Sequence, residues 1–301
     1  MQPVPPETKI MPPHRTPRRA VAAVIVANVA LAFGPWFVRL ADTGPVAAAF
    51  WRIALALPVL LVAALWTDRR AFGRAGSMLV PLLIAGIAFA VDLGAWHIGI
   101  LRTTLANATL FGNCAVLIFP IYGFFAIRRW PTRGQGAALL LAAVGGILLL
   151  GRSAELSSRH LAGDLFCVLA GILYAGYFIA MRRVRRTMAP VPALALSSIA
   201  SVLPLLLLAM ALGETILPTQ WGPLLALALV SQIAGQGLMI YALGHLSPLV
   251  VGLALLVQPL VGATIGWAAY GERLTMLDAV GAVLVAVALA VVSAQRPAAR
   301  A

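Results

Sequence analysis

The sequence predicts an all-α integral membrane protein, with ten transmembrane helices in two inverted five-helix repeats. Three observations carry this expectation. Of the 301 residues, 62% are apolar and only 10% are charged, where an ordinary soluble domain carries roughly 25% charge. The apolar residues run on for about 20 positions at a time, the length that crosses a bilayer as a helix. The two halves of the chain carry proline and aromatic residues at matching positions.

The elements follow in order. Residues 1–19 are polar and Pro-rich, with Lys9, Arg15, Arg18 and Arg19, and are expected to form a disordered cytoplasmic tail. The first apolar run, 20–40, is longer than the apolar region of a signal peptide, so it is read as an uncleaved span. Further runs lie near 45–66, 77–98, 103–127, 133–151, 161–182, 191–212, 222–243, 247–270 and 276–293, with a short cytoplasmic tail at 294–301. None alternates with period two, so these are helices rather than barrel strands. A helix satisfies its own backbone hydrogen bonds, as hydrocarbon requires. The connections are too short to fold separately. The first repeat is expected over 20–151 and the second over 152–293.

The formal charge is +13. A basic balance of this size is often a nucleic-acid signal. Here the basic residues stand in short clusters between apolar runs, so the expected partner is a lipid bilayer and not a nucleic acid. Of the 22 Lys and Arg residues, sixteen fall on the side of the N-terminus and five on the other, while Arg52 lies within a span. That asymmetry places both termini in the cytoplasm, in the plasma membrane (the inner membrane of a bacterium). Cys114 and Cys167 both lie in apolar runs. Two such cysteines make neither a disulfide framework nor a metal-ligand set.

The halves match at an offset of about 141 to 146 residues. FGPWF at Phe33–Phe37 answers to YAGYF at Tyr174–Phe178, Pro58 to Pro204, and Pro81 to Pro223. Five spans is an odd number, so the second half lies upside down relative to the first. The charges agree: the connection RRWPTR follows span four, and the nearly neutral YGERLT follows span nine. Inverted repeats place substrate near the midplane between them and work by rocking one repeat against the other.

The stretch SPLVVGLALLVQPLVGATIGWAAYGERLT, Ser247 to Thr275, with Pro259 in mid-helix and Gly271–Glu272–Arg273 at its end, is similar to the second-repeat signature of the drug/metabolite transporter superfamily, EamA type. The resemblance covers roughly residues 20–293 and implies ten spans and small-molecule transport. The segment NATLFGNC, Asn107 to Cys114, resembles the YddG-like amino-acid exporters, which implies export of amino acids, aromatic ones included. The first repeat departs from the pattern. Val116 stands where the family has a proline, and Arg128–Arg129–Trp130 replaces the acidic ending.

Polar groups inside a membrane mark pathways. Asp92 in span three and Arg52 in span two should both lie ~10 Å inside the outer boundary, at 1.5 Å per residue, and are read as able to pair. Their role is an ionic gate or a substrate-carboxylate site; the alternative is a static pair joining two spans. His97 is a candidate for coupling to protons, or a structural interfacial histidine. Trp36 and Tyr177 are pseudo-symmetry mates that could flank a midplane cavity, or belong to an aromatic belt. Asn107, Asn113, Gln232, Gln236 and Gln258 could bond the two ends of a zwitterion, or bond helix to helix. Tyr174, Tyr241 and Trp267 are further candidates. Span one has no acid, which disfavours the cation/proton exchange of small drug antiporters. No phosphate-cradling Gly-Lys-Ser loop is present. A transporter of small molecules, complete in one chain as a monomer and without a cofactor, is expected. A membrane enzyme or scaffold is the other class.

Overall fold

The computed structural model describes residues 18–103, 108, 111–128, 130–151, 160–270 and 276–294. Among these, six helices are long and apolar enough to cross a membrane: Arg18–Leu40, Pro45–Thr67, Ala75–Arg102, Leu161–Val184, Pro190–Ala211 and Gly222–Leu243. Four shorter apolar helices lie within Ala115–Ile127, Arg133–Gly151, Pro248–Tyr270 and Met276–Ala294. Counted along the chain these are spans one to ten. In each half three long helices precede two spans whose described helices are shorter. Large apolar side chains such as Leu65, Ile84, Leu165, Leu203 and Val283 stand exposed on the outside of the bundle, where hydrocarbon replaces water. Gly271–Glu272–Arg273 and both tails beyond Arg18 and Ala294 lie outside the described residues.

The packing has the symmetry that a repeat requires. Span three packs along span six, and span one along span eight. Spans two and seven pack together, as do four and nine, and five and ten. Exchanging the halves, one for six and three for eight, leaves this set of contacts unchanged. Five spans is an odd number, so a five-span unit followed by its copy is inverted. Small residues set the crossings, as is usual where helices meet in lipid. A Cβ on Gly86 would stand 2.4 Å from the Ala200 Cβ and 2.6 Å from the Ser197 carbonyl oxygen. One on Gly99 would stand 2.5 Å from the Cys167 Sγ.

Local sequence explains where helices start and break. Spans two and seven both open on a proline, Pro45 and Pro190, after an extended residue. Proline suits that first position because its missing N–H would be unbonded there anyway. Spans four and nine, expected to be continuous, are interrupted in the middle. In span nine the break is a turn at Leu255–Leu256, between Pro248–Ala254 and Val257–Tyr270. Pro259 accounts for it: its ring clashes with the carbonyl four residues back, that of Leu255, which instead accepts from Gln258 N at 3.0 Å. In span four a turn at Asn113–Cys114 precedes Ala115–Ile127. It passes so close to span six that a Cβ on Gly171 would lie 2.7 Å from the Gly112 carbonyl oxygen. The two turns occupy equivalent places in the two halves, and broken helices at matched positions accompany midplane binding sites. Span eight carries a third irregularity, a wide π-helical winding over Leu227–Gln236, a feature found mostly at functional sites.

We call the surface where span one begins the N-terminal face and the opposite surface the far face. On the far face the turn between spans one and two is joined to the turn between spans seven and eight. Gly213, at φ 66°, ends span seven with Gly213 N bonded to Met210 O at 3.0 Å and Glu214 N to Ala209 O at 3.1 Å, a left-handed glycine stop. That stop presents the Glu214 side chain to the start of span two. Its carboxylate accepts from Ala47 N at 2.8 Å and Val46 N at 3.3 Å. Asp42 accepts from Thr219 N at 2.9 Å, from Gln220 N at 3.1 Å and from the Thr219 hydroxyl. Trp51 Nε1 donates to Ile216 O at 2.6 Å, and its ring meets Trp221 edge-on at 4.9 Å. The Thr219 hydroxyl is the main reason the Asp42 carboxyl sits below its ordinary pKa. The clasp is therefore complete above that range and loosens as acid protonates Asp42.

Gly86→Ala is expected to force spans three and seven apart, at a cost of about 1–3 kcal/mol. Gly176→Ala, whose Cβ would meet nothing within 4 Å, is expected to be tolerated. Thermal unfolding of the two variants in detergent checks the contrast.

Candidate functional site

The polar centre is built around Arg52. It lies two turns into span two and is 3% exposed. Its Nε donates to Gln232 Oε1 of span eight at 3.1 Å. Its guanidinium carbon lies 5.8 Å from the centre of the Phe89 ring, a cation–π contact that strengthens out of water. Phe89 and the buried Asp92 follow each other by one turn of span three. The sequence suggests a direct pair. In the structure the Arg52 Nε–H is directed at Gln232.

Span six adds a wall of rings. Tyr177 stacks on Phe89 with ring centres 4.5 Å apart and planes 19° apart. Tyr174 lies 6.3 Å from Phe89 and 4.2 Å from Phe178, and Phe178 lies 5.3 Å from Phe119 of span four. The Tyr174 hydroxyl donates to Gln236 Oε1 at 3.3 Å. The π-helical winding of span eight matters here, because it brings Ser231, Gln232 and Gln236, all fully buried, to one side.

Several polar atoms in this region lack partners among the described residues: Tyr177 Oη, Gln232 Nε2, Gln236 Nε2, Ser231 Oγ and His97 Nε2. The nearest polar neighbours of the Tyr177 hydroxyl are Gln236 and Ser197. Leaving a buried donor or acceptor unpaired costs about 1–3 kcal/mol, and native cores hold few such atoms. Their gathering near one cation gives the region a chemical capacity. Arg52, the two glutamine amides and the hydroxyls of Tyr177 and Ser231 can donate. His97 Nδ1 lies 2.9 Å from Pro45 O. A carbonyl only accepts, so the proton sits on Nδ1 and Nε2 is a bare acceptor. Asp92 is the second acceptor. Donors can hold a carboxylate, acceptors an ammonium group, and the rings an apolar body between.

Of the residues singled out from the sequence, Arg52, Asp92, Tyr174, Tyr177 and Gln236 come together here. His97 is fully buried five residues beyond Asp92 on span three. Trp36 is half-buried, with its ring against Phe33 and Phe37 of its own span at 6.3 and 5.6 Å. Asn113 stands in the turn that breaks span four. Gln258 Nε2 donates to Asn28 Oδ1 of span one at 2.8 Å, just past the break in span nine. The Tyr241 ring lies against His245, tilted, with centres 4.4 Å apart, near the N-terminal-face end of span eight. Asn107 lies outside the described residues. Sequence reasoning passed over Phe89, Ser231 and Asn28. An uncharged side chain in an apolar run gives little signal until its helix neighbours are known, although the Ser231–Gln232 pair with Gln236 one turn on is a visible polar face. Among the described residues, no three His, Cys, Asp or Glu side chains are grouped as a metal site would need.

A bundle of inverted repeats with a buried polar centre between them is the build of a secondary transporter. The EamA-like transporter family matches this sequence over residues 18–151 and again over 161–294. The chain belongs to that family, and it is a multi-pass membrane transporter. It is 24% identical over 253 residues to an uncharacterized transporter of Archaeoglobus fulgidus, covering 82% of this chain and 87% of that one. A protein of known crystal structure superposes with a TM-score of 0.73 at 17% identity, over 91% of this chain and 94% of its own. That likeness is one of fold.

Because the Tyr177 hydroxyl has no hydrogen-bond partner among the described residues, Tyr177→Phe is expected to unfold at the same temperature as the parent or slightly above it. Gln232→Leu, which strips Arg52 of its bonded acceptor, is expected to lose about 1–3 kcal/mol. Thermal unfolding of the ligand-free protein checks both.

Proposed function

We propose that the chain exports amino acids, aromatic ones among them, by alternating access around the Arg52 centre. The observation that carries this reading is the buried guanidinium beside unpaired donors, with Asp92 and His97 Nε2 as acceptors nearby. A zwitterion presents a carboxylate and an ammonium group to those two sets. Phe89, Tyr174 and Tyr177 offer stacking faces for a ring. Trp36, Asn107, Asn113, Tyr241 and Gln258 line or gate the route on either side of this centre.

The repeats over 20–151 and 152–293 rock against each other, and the broken spans four and nine supply the mobile midpoints. The protein works as a monomer in the plasma membrane, the inner membrane of a bacterium. Both termini face the cytoplasm, so the far face is external, in line with the excess of Lys and Arg on the N-terminal side. It needs no cofactor and binds no nucleic acid.

The test is flux of a panel of radiolabelled amino acids in proteoliposomes, with and without a pH gradient. Saturable flux of a subset is expected. It should fall at least about tenfold in Arg52→Gln, which removes a charge-assisted pair worth about 1.5–3 kcal/mol. No flux of any amino acid by folded protein would move the substrate to another class of small metabolite or toxic organic compound.

A further inference from the structure

We propose that Glu214 is a positioning residue of the transport site and the latch of its far-face gate. The inference rests on the transporter reading and adds a residue outside the polar centre. The Glu214 carboxylate bonds the first free amides of span two, Val46 N and Ala47 N, from a turn that belongs to the other half of the chain. Those amides carry the positive end of the helix. No residue of the span-two turn caps them with its own side chain. The next carbonyl back, that of Pro45, is the one that orients His97. Two turns further along the same helix stands Arg52. One carboxylate thus holds the helix that presents the cation and the carbonyl that sets the histidine tautomer.

Two further features point to a latch rather than a simple cap. The contact crosses between the halves. By contrast, the arginine bonds on the N-terminal face tie the second half to itself: Arg182 to Leu246 O at 3.0 Å and Arg185 to Ile240 O at 3.0 Å. Rocking one half against the other must therefore break the Glu214 contact, while the arginine contacts can move as a body. The glycine at the latch is also shaped for it. A Cβ on Gly44 would lie 2.3 Å from Glu214 Oε2 and 2.4 Å from its Cβ, so Gly44 leaves room for the carboxylate to approach. With the latch closed, the Trp51–Trp221 ring contact also joins the two halves on the far face.

The experiment reads gate opening without any substrate. Ser231→Cys is placed in the full chain, and labelling by a membrane-impermeant maleimide from the far face is followed in proteoliposomes. Native Cys167, fully buried between spans three and six, reports general loosening, and a Cys114→Ala background removes the other thiol. Adding Glu214→Ala or Gly44→Ala is expected to speed labelling at position 231 about tenfold, the scale of losing a charged hydrogen bond, with Cys167 still protected. Unchanged labelling at 231 in both variants would overturn the latch. So would parallel labelling at 231 and 167, since Glu214 would then merely support the fold. Loss of amino-acid flux in the parent protein would overturn the substrate assignment and leave this result standing.

Discussion

A guanidinium held out of water is the constraint around which the centre of this protein is organised. Placing an arginine inside a membrane helix costs up to about 2.5–3.5 kcal/mol even on lenient scales. Arg52 offsets that cost with partners from two other spans: the Gln232 oxygen of span eight and the face of Phe89 of span three. These partners do not use every donor of the planar head, which has five N–H groups. A residue fastened on one side and chemically unsatisfied on the other suits a carrier. It must be ordered before substrate arrives, and it must gain by binding.

The symmetry of the fold explains why this centre sits where it does. Spans three and six cross on one side of the pseudo-twofold axis, and spans eight and one on the other, with two and seven between them. Arg52 on span two can therefore meet span three, span six and span eight at once. The pseudo-symmetry is not carried into the chemistry. The position of Trp36 corresponds to that of Tyr177, yet Trp36 packs on its own span while Tyr177 is fully buried at the centre. Inverted repeats supply the two-sided mechanics, and divergence between them supplies a single site.

The span count and the repeat were legible because hydrophobic length and matched prolines are long-range signals that survive without structure. The breaks in spans four and nine were not, since a turn of two residues does not interrupt an apolar run of spanning length. Pro259 was visible, but its effect on the Leu255 carbonyl depends on helix phase. In the site, Arg52, Asp92 and His97 were legible because a charge or imidazole in an apolar run stands out. Their partners were not legible, because equal depth in the membrane does not by itself place two side chains face to face. Gln232 wins the Arg52 bond from span eight, a helix 180 residues away in sequence. Glu214 and Asp42 lie in a polar turn, where an acid is unremarkable until its partners are seen.

The central claim is that Arg52 holds the carboxylate of the transported molecule. Equilibrium binding of an amino acid and of its decarboxylated amine, each to the parent and to Arg52→Gln, tests it as a thermodynamic cycle. If the two groups touch, losing either should weaken binding by a similar factor, and losing both should cost little more than losing one, with a coupling of at least about tenfold, or 1.4 kcal/mol. Losses that simply add would mean that Arg52 and the carboxylate do not meet. The cation would then be a fixture of the bundle, and the site would have to be sought elsewhere between the repeats.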